Sequence, residues 1–442
     1  MALCLSVVSY FVWTSPAGPI GQVTSAVQAV QGRIDMKQER NDLLGNVVDL
    51  QGNLEDSKNE VASLQQELAQ TKQALAAAQA KAGKAPTGGG AAPTTPKSPV
   101  PNTTAAITAP SKAELVDPSS RYFGMYTEQA PFSWATYDDT SSKIGDKPSA
   151  VGYFGGWDQP FRPDAVTRAW SRGTLPMLTW ESRPIDAPNS QVSEPDYTLP
   201  RILGDPANGV PGAFDDYLHQ YAKDIVATGL PLAIRFDHEM NGVWYPWSED
   251  DGKGNAINGN NPGDYVKTWQ HVHDIFEAEG ANQFVIWLWS PNIVNNLTST
   301  HKSLDYLKSL YPGDDYVDWV GLSGYLRPPY KPDNDFSFDY TFGASLDQLR
   351  SITGKPIYLA EVGASEIDGH KADWIGSFFQ ALGKPENDDI IGFSWFNLAV
   401  SSYIEGDLAT NDWRIDSRPE SLAAFVAGIN APEDNFDLTP YP

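Results

Sequence analysis

Two glutamates have the residue type and the position to act as a pair of chemical groups. Glu239 lies near the end of the apolar run Pro231–Asn241, and Glu361 lies in the later apolar run Pro356–Ser365. Cleavage of a glycosidic bond needs two carboxyl groups, because one protonates the leaving oxygen while the other attacks the anomeric carbon or activates water. The charge of one carboxylate raises the pKa of its neighbour, which then keeps its proton. The pair therefore indicates glycoside hydrolysis, the alternative being that each glutamate is a structural ion-pair partner.

Metal-dependent hydrolysis is not indicated. His238 directly precedes Glu239, but the zinc motif H-E-x-x-H requires a second histidine at position 242, which is Gly242. The single cysteine, Cys4, excludes a cluster of thiolate metal ligands. The sequence therefore predicts chemistry that uses no metal and no cofactor.

Eight apolar runs alternate with helical stretches from residue 119 onward. Several runs are almost continuously apolar and end in polar or aromatic residues, which is typical of parallel strands buried on both faces. This pattern predicts an α/β fold, a (β/α)8 TIM barrel over 119–442, with a doubly wound sheet as the alternative that no glycine-rich phosphate motif supports. The runs are Tyr122–Thr127, Ala150–Trp157, Leu175–Ser182, Pro231–Asn241, Phe284–Asn292, Val317–Tyr325, Pro356–Ser365 and Ile390–Leu398. The helical stretches are 163–172, 212–228, 262–279, 301–311, 341–353 and 370–383.

The predicted strand ends carry aromatic, polar and charged side chains that could contact a substrate. The active site of such a barrel lies where its strands end. A tryptophan face packs against the C–H face of a pyranose, so Trp180 and Trp289 are candidate sugar-binding residues, with barrel packing as the alternative. Arg235 would bring positive charge to the carboxylates, with a core ion pair as the alternative. Asn241, at the end of the same run, is a further candidate for substrate binding.

The run Arg235–Trp247, with the sequence RFDHEMNGVWYPW, resembles the acid/base motif of glycoside hydrolase family 26. The resemblance covers roughly 120–430 of the chain. Members of that family have a (β/α)8 barrel and a retaining mechanism, with the acid/base on strand four and the nucleophile on strand seven. The resemblance therefore implies that Glu239 is the acid/base and that Glu361 is the nucleophile.

The resemblance also implies roles for side chains around the two glutamates. His238 matches the histidine that precedes the acid/base in the family, and Trp244 or Trp247 matches the aromatic residue that follows it. Tyr325 matches the strand-six tyrosine that hydrogen-bonds the nucleophile, and Trp395 matches the strand-eight tryptophan under the sugar at the cleavage point. All five are expected to bind substrate.

The substrate class follows from the same resemblance. The family contains β-mannanases, β-1,3-1,4-glucanases and some xylanases. Phe236–Asp237 and Trp244–Trp247 depart from the pattern that mannanases often carry. This departure weakens the case for mannan as the substrate relative to glucan. The expectation is a retaining endo-β-glycanase, with mannan endo-1,4-β-mannosidase favoured on family frequency and a lichenase or xylanase as alternatives. A non-catalytic carbohydrate-binding surface protein is the alternative from another class.

The first 118 residues differ in composition from the rest of the chain and contain only three aromatic residues. Residues 1–22 include a short apolar segment that predicts part of a membrane anchor, an export signal or the tip of the next helix. Residues 23–82 predict a coiled-coil-like helix that could self-associate, with a solitary helix as the alternative. Residues 83–118 predict a disordered linker rich in Pro, Thr, Gly and Ala. This plan is typical of an extracellular or cell-surface tethered enzyme.

The charge and the tryptophan content narrow the class of ligand. A net charge of −25 repels phosphate backbones and argues against nucleic acid as a partner. The chain contains 14 tryptophans, a surplus that suggests stacking surfaces for a ring-shaped ligand. Both properties suit an uncharged, β-linked polysaccharide as the substrate.

Overall fold

A computed structural model describes residues 107–188, 191–404 and 407–441. Eight parallel strands form a closed barrel in chain order, so the predicted (β/α)8 barrel is confirmed and the doubly wound alternative is excluded. The strands are β1 Tyr122–Tyr126, β2 Ala150–Gly156, β3 Leu175–Glu181, β4 Leu232–Phe236, β5 Val285–Trp289, β6 Trp319–Leu326, β7 Ile357–Ala364 and β8 Ile390–Phe396. Each lies within or almost within one of the predicted apolar runs.

Strand residues point alternately into the barrel and towards the surrounding helices, and both faces are buried. In β4, Arg235 points inwards to Glu361, whereas the next residue, Phe236, stacks on Trp157 at 5.7 Å and contacts Trp269 at 5.7 Å. This alternation decides which residues of each strand end face the barrel mouth.

Helices between the strands cover the outside of the barrel. Those that overlap the predicted helical stretches are confirmed, while the helices over 135–144, 199–203 and 419–429 were not predicted. Two of the four buried residues of the 135–144 helix, Thr140 and Ser141, are polar, so its sequence lacks a clear apolar stripe. The helices are α1 Lys112–Val116, α2 Ala135–Ile144, α3 Pro163–Trp170, α4 Leu199–Leu203, α5 Asp215–Thr228, α6 Asp264–Ala278, α7 Leu304–Ser309, α8 Ala344–Ile352, α9 Lys371–Leu382 and α10 Pro419–Ile429.

The short helix α1 lies inside the range predicted as linker. Leu115 is fully buried, Lys112 forms an ion pair with Asp318 at 2.8 Å, and the Trp319 indole donates to the carbonyl of Val116 at 2.8 Å. The prediction of a disordered linker is therefore wrong for 112–116, because these residues pack on the barrel.

The other N-terminal predictions lie outside the described residues. These are the apolar segment 1–22, the coiled-coil-like helix 23–82 and the linker over 83–106. In the ranges that the structure describes, no helix combines the length and apolar character needed to cross a bilayer.

A two-stranded antiparallel hairpin follows the last barrel strand. It consists of β9 Ala399–Ile404 and β10 Asp407–Asp412. Because the hairpin starts at the end of β8, it lies on the side of the barrel where the strands end. The chain then passes through Trp413 to helix α10, so the hairpin connects the last strand to the last helix.

Candidate active site

A cavity of about 540 Å³ opens at the strand ends of the barrel. Glu239 and Glu361 both line it, as predicted from their expected positions at the ends of strands four and seven. Its other lining residues are Phe154, Glu181, Arg183, Ile185, His238, Trp244, Tyr245, Asn292, Asn296, Tyr325, Arg327, Phe396, Val400 and Trp413. Aromatic faces and charged groups thus surround the two carboxyl groups, as in sites that hold a sugar ring.

Glu361 is held by two donors. The Tyr325 hydroxyl donates a hydrogen bond to one carboxylate oxygen, and the Arg235 guanidinium forms an ion pair with the other. Arg235 also donates to the hydroxyl of Ser323, which pairs with Glu361 across β6 and β7. The register of β7 shifts between Leu359 and Val362, an irregularity of the kind that re-aims a side chain at a barrel rim. These contacts stabilise the ionised carboxylate in one orientation.

Glu239 has a different environment. The Trp244 indole donates to Oε2 of Glu239 at 2.8 Å. Burial and the nearby charge of Glu361 raise the pKa of Glu239, and the charge of Arg235 opposes this rise. A carboxyl group with a raised pKa keeps its proton at higher pH and is suited to donate it.

A strained turn after β4 presents Glu239. The predicted strand extended to Asn241, but β4 ends at Phe236, and both Asp237 (φ 39°) and Glu239 (φ 56°) adopt left-handed backbone conformations. The Asp237 carboxylate fixes the turn by accepting hydrogen bonds from the Ser182 amide at 2.8 Å and hydroxyl at 2.7 Å. Non-glycine residues with positive φ cost energy and cluster at functional sites. The strain therefore agrees with a functional role for this turn.

His238 and Trp244 also lie where the sequence predicted them. Nε2 of His238 is 3.1 Å from the Tyr245 hydroxyl, and burial together with the charges of Arg235 and Arg183 lowers the pKa of His238 well below its ordinary value. His238 is therefore neutral, and it lines the cavity directly beside Glu239.

Comparisons with known proteins agree with this geometry. The model for Glycosyl hydrolase family 26 matches residues 203–354, which include Glu239 and Tyr325. Endoglucanase H of Acetivibrio thermocellus is 32% identical over 298 residues, which cover 66% of this chain and 28% of that protein. The resemblance of this chain to glycosyl hydrolase family 26 is therefore confirmed.

Two further comparisons differ in what they show. A mannan endo-1,4-beta-mannosidase of Bacillus subtilis strain 168 is 24% identical over 273 residues, which cover 56% of this chain and 66% of that protein. The solved catalytic domain of the Bacillus sp. JAMB-750 GH26 endo-beta-1,4-mannanase has a TM-score of 0.51 at 18% identity, over 72% of this chain and 88% of that chain. That likeness shows the fold alone. The chain spans 28% of the length of the first two curated relatives that it matches.

Two residues that the sequence predicted to bind substrate do not line the cavity. Arg235 brings the predicted positive charge to the carboxylates, but it does so through a buried ion pair with Glu361 and is only 1% exposed, so it does not contact substrate. Asn241 is also 1% exposed. Its side-chain Nδ2 donates to the backbone carbonyl of Asn292 at 2.8 Å, and its Oδ1 accepts from the backbone amide of Asn292 at 2.8 Å. It joins the turns after β4 and β5 and does not reach the cavity.

Four tryptophans predicted to bind substrate are fully buried and do not line the cavity. Trp180 stacks on Tyr221 of α5 at 4.5 Å, and Trp289 packs on Tyr311 at 5.1 Å. The direct sugar contact predicted for each is wrong because their positions in the strands point towards the helices.

Trp395 and Trp247 require the same correction for different reasons. Trp395 is directed outwards to Phe425 of α10 at 5.2 Å, and its indole donates to the Trp413 carbonyl at 2.6 Å. Trp247 donates to the carbonyl of His238 at 2.7 Å and lies under Tyr245, with the rings 4.4 Å apart. Both tryptophans support residues that line the cavity without lining it themselves.

Several cavity residues were not predicted as substrate contacts. Phe396 follows Trp395 in β8 and points to the opposite side of the strand, so the alternation in β8 could have identified it. Trp413 lies beyond the β9–β10 hairpin and packs on Tyr325 at 4.8 Å, and no strand or helix pattern indicates its position. Glu181 pairs with Arg183 through two hydrogen bonds of 3.1 Å.

No group of three or more His, Cys, Asp or Glu side chains in the described part of the chain is arranged to hold a metal ion. Hydrolysis of a glycosidic bond by a pair of carboxyl groups requires no metal ion.

Proposed function

We propose that this chain is a retaining endo-β-glycanase, with Glu361 as the nucleophile and Glu239 as the general acid/base. The observation that carries the proposal is the pair of unlike carboxyl environments in one cavity. Glu361 contacts a guanidinium and a phenol that stabilise its charge, whereas burial and the charge of Glu361 raise the pKa of Glu239. This asymmetry is what the two roles require.

The proposed reaction has two steps. In the first, Glu361 attacks the anomeric carbon and forms a glycosyl-enzyme while Glu239 donates its proton to the leaving oxygen. In the second, Glu239 removes a proton from water, which attacks the anomeric carbon, releases Glu361 and restores the proton on Glu239. The Tyr325 hydroxyl and Arg235 keep Glu361 in place between the steps. Because both displacements invert the anomeric centre, the product retains the configuration of the substrate.

The aromatic walls of the cavity support a polysaccharide substrate. Trp413, Phe396 and Phe154 line the side near β8, and Trp244 and Tyr245 line the side near β4. Rings of this kind pack on the C–H faces of pyranoses.

We propose mixed-linkage β-glucan as the first substrate to test and mannan as the second. The comparison that extends over 66% of the chain at 32% identity is with an endoglucanase, while mannanases of Caldalkalibacillus mannanilyticus and Bacillus subtilis match at 26% and 24% identity. The departures around His238 from the mannanase pattern point in the same direction. Xylan is the third polymer in the series.

The experiment measures release of reducing sugar from lichenan, mannan and xylan by the full chain. We expect hydrolysis of one polymer with a spread of oligosaccharides as early products, and retained anomeric configuration by proton NMR. Absence of release from all three would contradict the enzymatic proposal and favour a carbohydrate-binding protein. Release of single sugars from chain ends would contradict endo action.

The cellular setting is also a proposal. The Pro- and Thr-rich composition of 83–106 and the predicted helix over 23–82 suit an enzyme that is extracellular or tethered to the cell surface. Self-association through 23–82 is part of the same proposal, and sedimentation of the full chain and of a 107–442 fragment would test it.

A further inference from the structure

Lys371, at the start of helix α9, is a cation buried outside the cavity. Its side chain is 0% exposed, and its ammonium donates to the carbonyls of Asp412 at 3.0 Å and Arg414 at 2.7 Å and to the Ser417 hydroxyl at 2.8 Å. Glu366 supplies a countercharge at 3.5 Å. A buried charge is costly unless it is paired and hydrogen-bonded, and here all three N–H donors are used.

The two carbonyls that Lys371 binds belong to the residues on either side of Trp413. The backbone of Trp413 itself is fixed by its amide, which donates to the Leu398 carbonyl at 3.0 Å, and by its carbonyl, which accepts from Trp395. Lys371 thus completes a set of contacts that fixes the backbone of residues 412–414.

Trp413 connects the contacts of Lys371 to Glu361, the proposed nucleophile. Its ring lies 4.8 Å from the ring of Tyr325, whose hydroxyl donates to Glu361. Both rings pack over Gly363, where an added Cβ would come within 2.9 Å of Tyr325 and 3.3 Å of Trp413. The position of Trp413 therefore affects both the cavity wall that it forms and the position of Tyr325, which donates to Glu361.

We propose that Lys371 is a positioning residue that holds Trp413 against Tyr325 and so determines the activity of the cavity without touching substrate. The proposal rests on the proposed glycanase function for its kinetic consequence. Its structural consequence, an ordered segment around Trp413, does not depend on catalysis.

The charge state of Lys371 agrees with this role. Burial lowers the pKa of Lys371 to about 8, and the charges of Glu366 and Asp412 oppose the shift. At neutral pH the amine therefore remains protonated and keeps its three donors. Glu366 is itself held by the hydroxyl of Ser421 at 2.8 Å and by Arg418 at 3.4 Å, so the countercharge stays in place.

The test compares Lys371→Met with Lys308→Met in the full chain. Lys308 lies exposed on α7, and its substitution is the control for loss of one lysine charge. Hydrogen–deuterium exchange of peptides covering 410–417 is expected to increase at least about fivefold in Lys371→Met and to stay unchanged in the control. The kcat/KM on the preferred polymer is expected to fall about tenfold or more.

A double-mutant cycle shows whether Lys371 acts through Trp413. In a Trp413→Ala background, Lys371→Met is expected to cause no further fall in kcat/KM. Unchanged exchange over 410–417, or a fall in kcat/KM that is fully additive with that of Trp413→Ala, would overturn the proposal. If Lys371→Met does not fold, Ser417→Ala is measured in the same way, since it removes one acceptor of Lys371 and one donor to Glu366 but keeps the lysine charge. If the wild-type chain hydrolyses no polymer, the glycanase proposal fails, while the exchange result still decides whether Lys371 orders the segment.

Discussion

The ends of β4 and β7 hold the same residue type in opposite environments. Glu361 lies within strand β7 and accepts from Tyr325 and Arg235, both of which stabilise its charge. Glu239 lies in a left-handed turn, accepts from the neutral indole of Trp244, and has its pKa raised by burial and by the charge of Glu361. The residues that contact each glutamate, and not the residue type, therefore determine the chemical role of each position.

Arg235 is central to this difference although it does not reach the cavity. It forms an ion pair with Glu361, and its charge also acts on Glu239, where it partly opposes the rise in pKa. Arg235 therefore stabilises the charge of the proposed nucleophile more than that of the proposed acid. A single buried cation, directed into the barrel by the alternation of β4, thus separates the roles of two glutamates.

The substitution Glu361→Ala should have the largest effect. Loss of the nucleophile is expected to reduce kcat on polymer at least about 10⁴-fold, because no covalent intermediate can form. With an activated aryl glycoside, added azide is expected to restore turnover by attacking the anomeric carbon from the vacated face, giving a glycosyl azide of inverted configuration. Unchanged activity of the variant, or an azide product of retained configuration, would contradict the assignment of the nucleophile.

The substitution Glu239→Ala should have the next largest effect and should depend on the leaving group. We expect a loss of about 10²–10⁴-fold on polymer, where the leaving oxygen needs a proton, and a much smaller loss in the first step with a dinitrophenyl glycoside. Azide should here attack the glycosyl-enzyme and give a product of retained configuration. Equal losses on both substrates would show that the two glutamates do not differ as the structure indicates.

The substitution Tyr325→Phe isolates one of the donors to Glu361. A hydrogen bond to a charged group contributes about 1.5–3 kcal/mol, so kcat/KM is expected to fall about 10–150-fold with the ring packing retained. Tyr311→Phe is the matched control, because the Tyr311 hydroxyl donates to the Asp314 carboxylate at 2.7 Å outside the cavity. A comparable loss in both variants would remove the argument that the bond to Glu361 is special.

The sequence predicted the elements better than the orientation of individual side chains. The apolar runs identified all eight barrel strands, because parallel strands buried on both faces leave a continuous apolar signal. The same signal hides which residues point inwards, so Trp180, Trp289 and Trp395 were expected at the cavity although they face the helices. A polar residue within an apolar run, such as Arg235 in β4, is the kind of cue that indicates which side of a strand faces into the barrel.

Two features of the site left no trace in the local pattern. Trp413 reaches the cavity from beyond a hairpin, and its position depends on distant contacts such as that of Lys371 with the neighbouring carbonyls. The left-handed turn at Asp237 and Glu239 contains no glycine at those positions, so the sequence predicted that the strand continued. In both cases tertiary contacts override the local preference.

The substitution Trp244→Phe should give the smallest effect and bears directly on the difference between the two glutamates. The hydrogen bond from Trp244 lowers the pKa of Glu239, so its removal should raise that pKa further above the ordinary value. Because Glu239 must be protonated to donate, the alkaline limb of kcat/KM is expected to move to higher pH. Trp134→Phe, at the start of α2 and outside the cavity, is the control. An alkaline limb that stays in place, or that moves to lower pH, would contradict the assignment of Glu239 as the acid that Trp244 contacts.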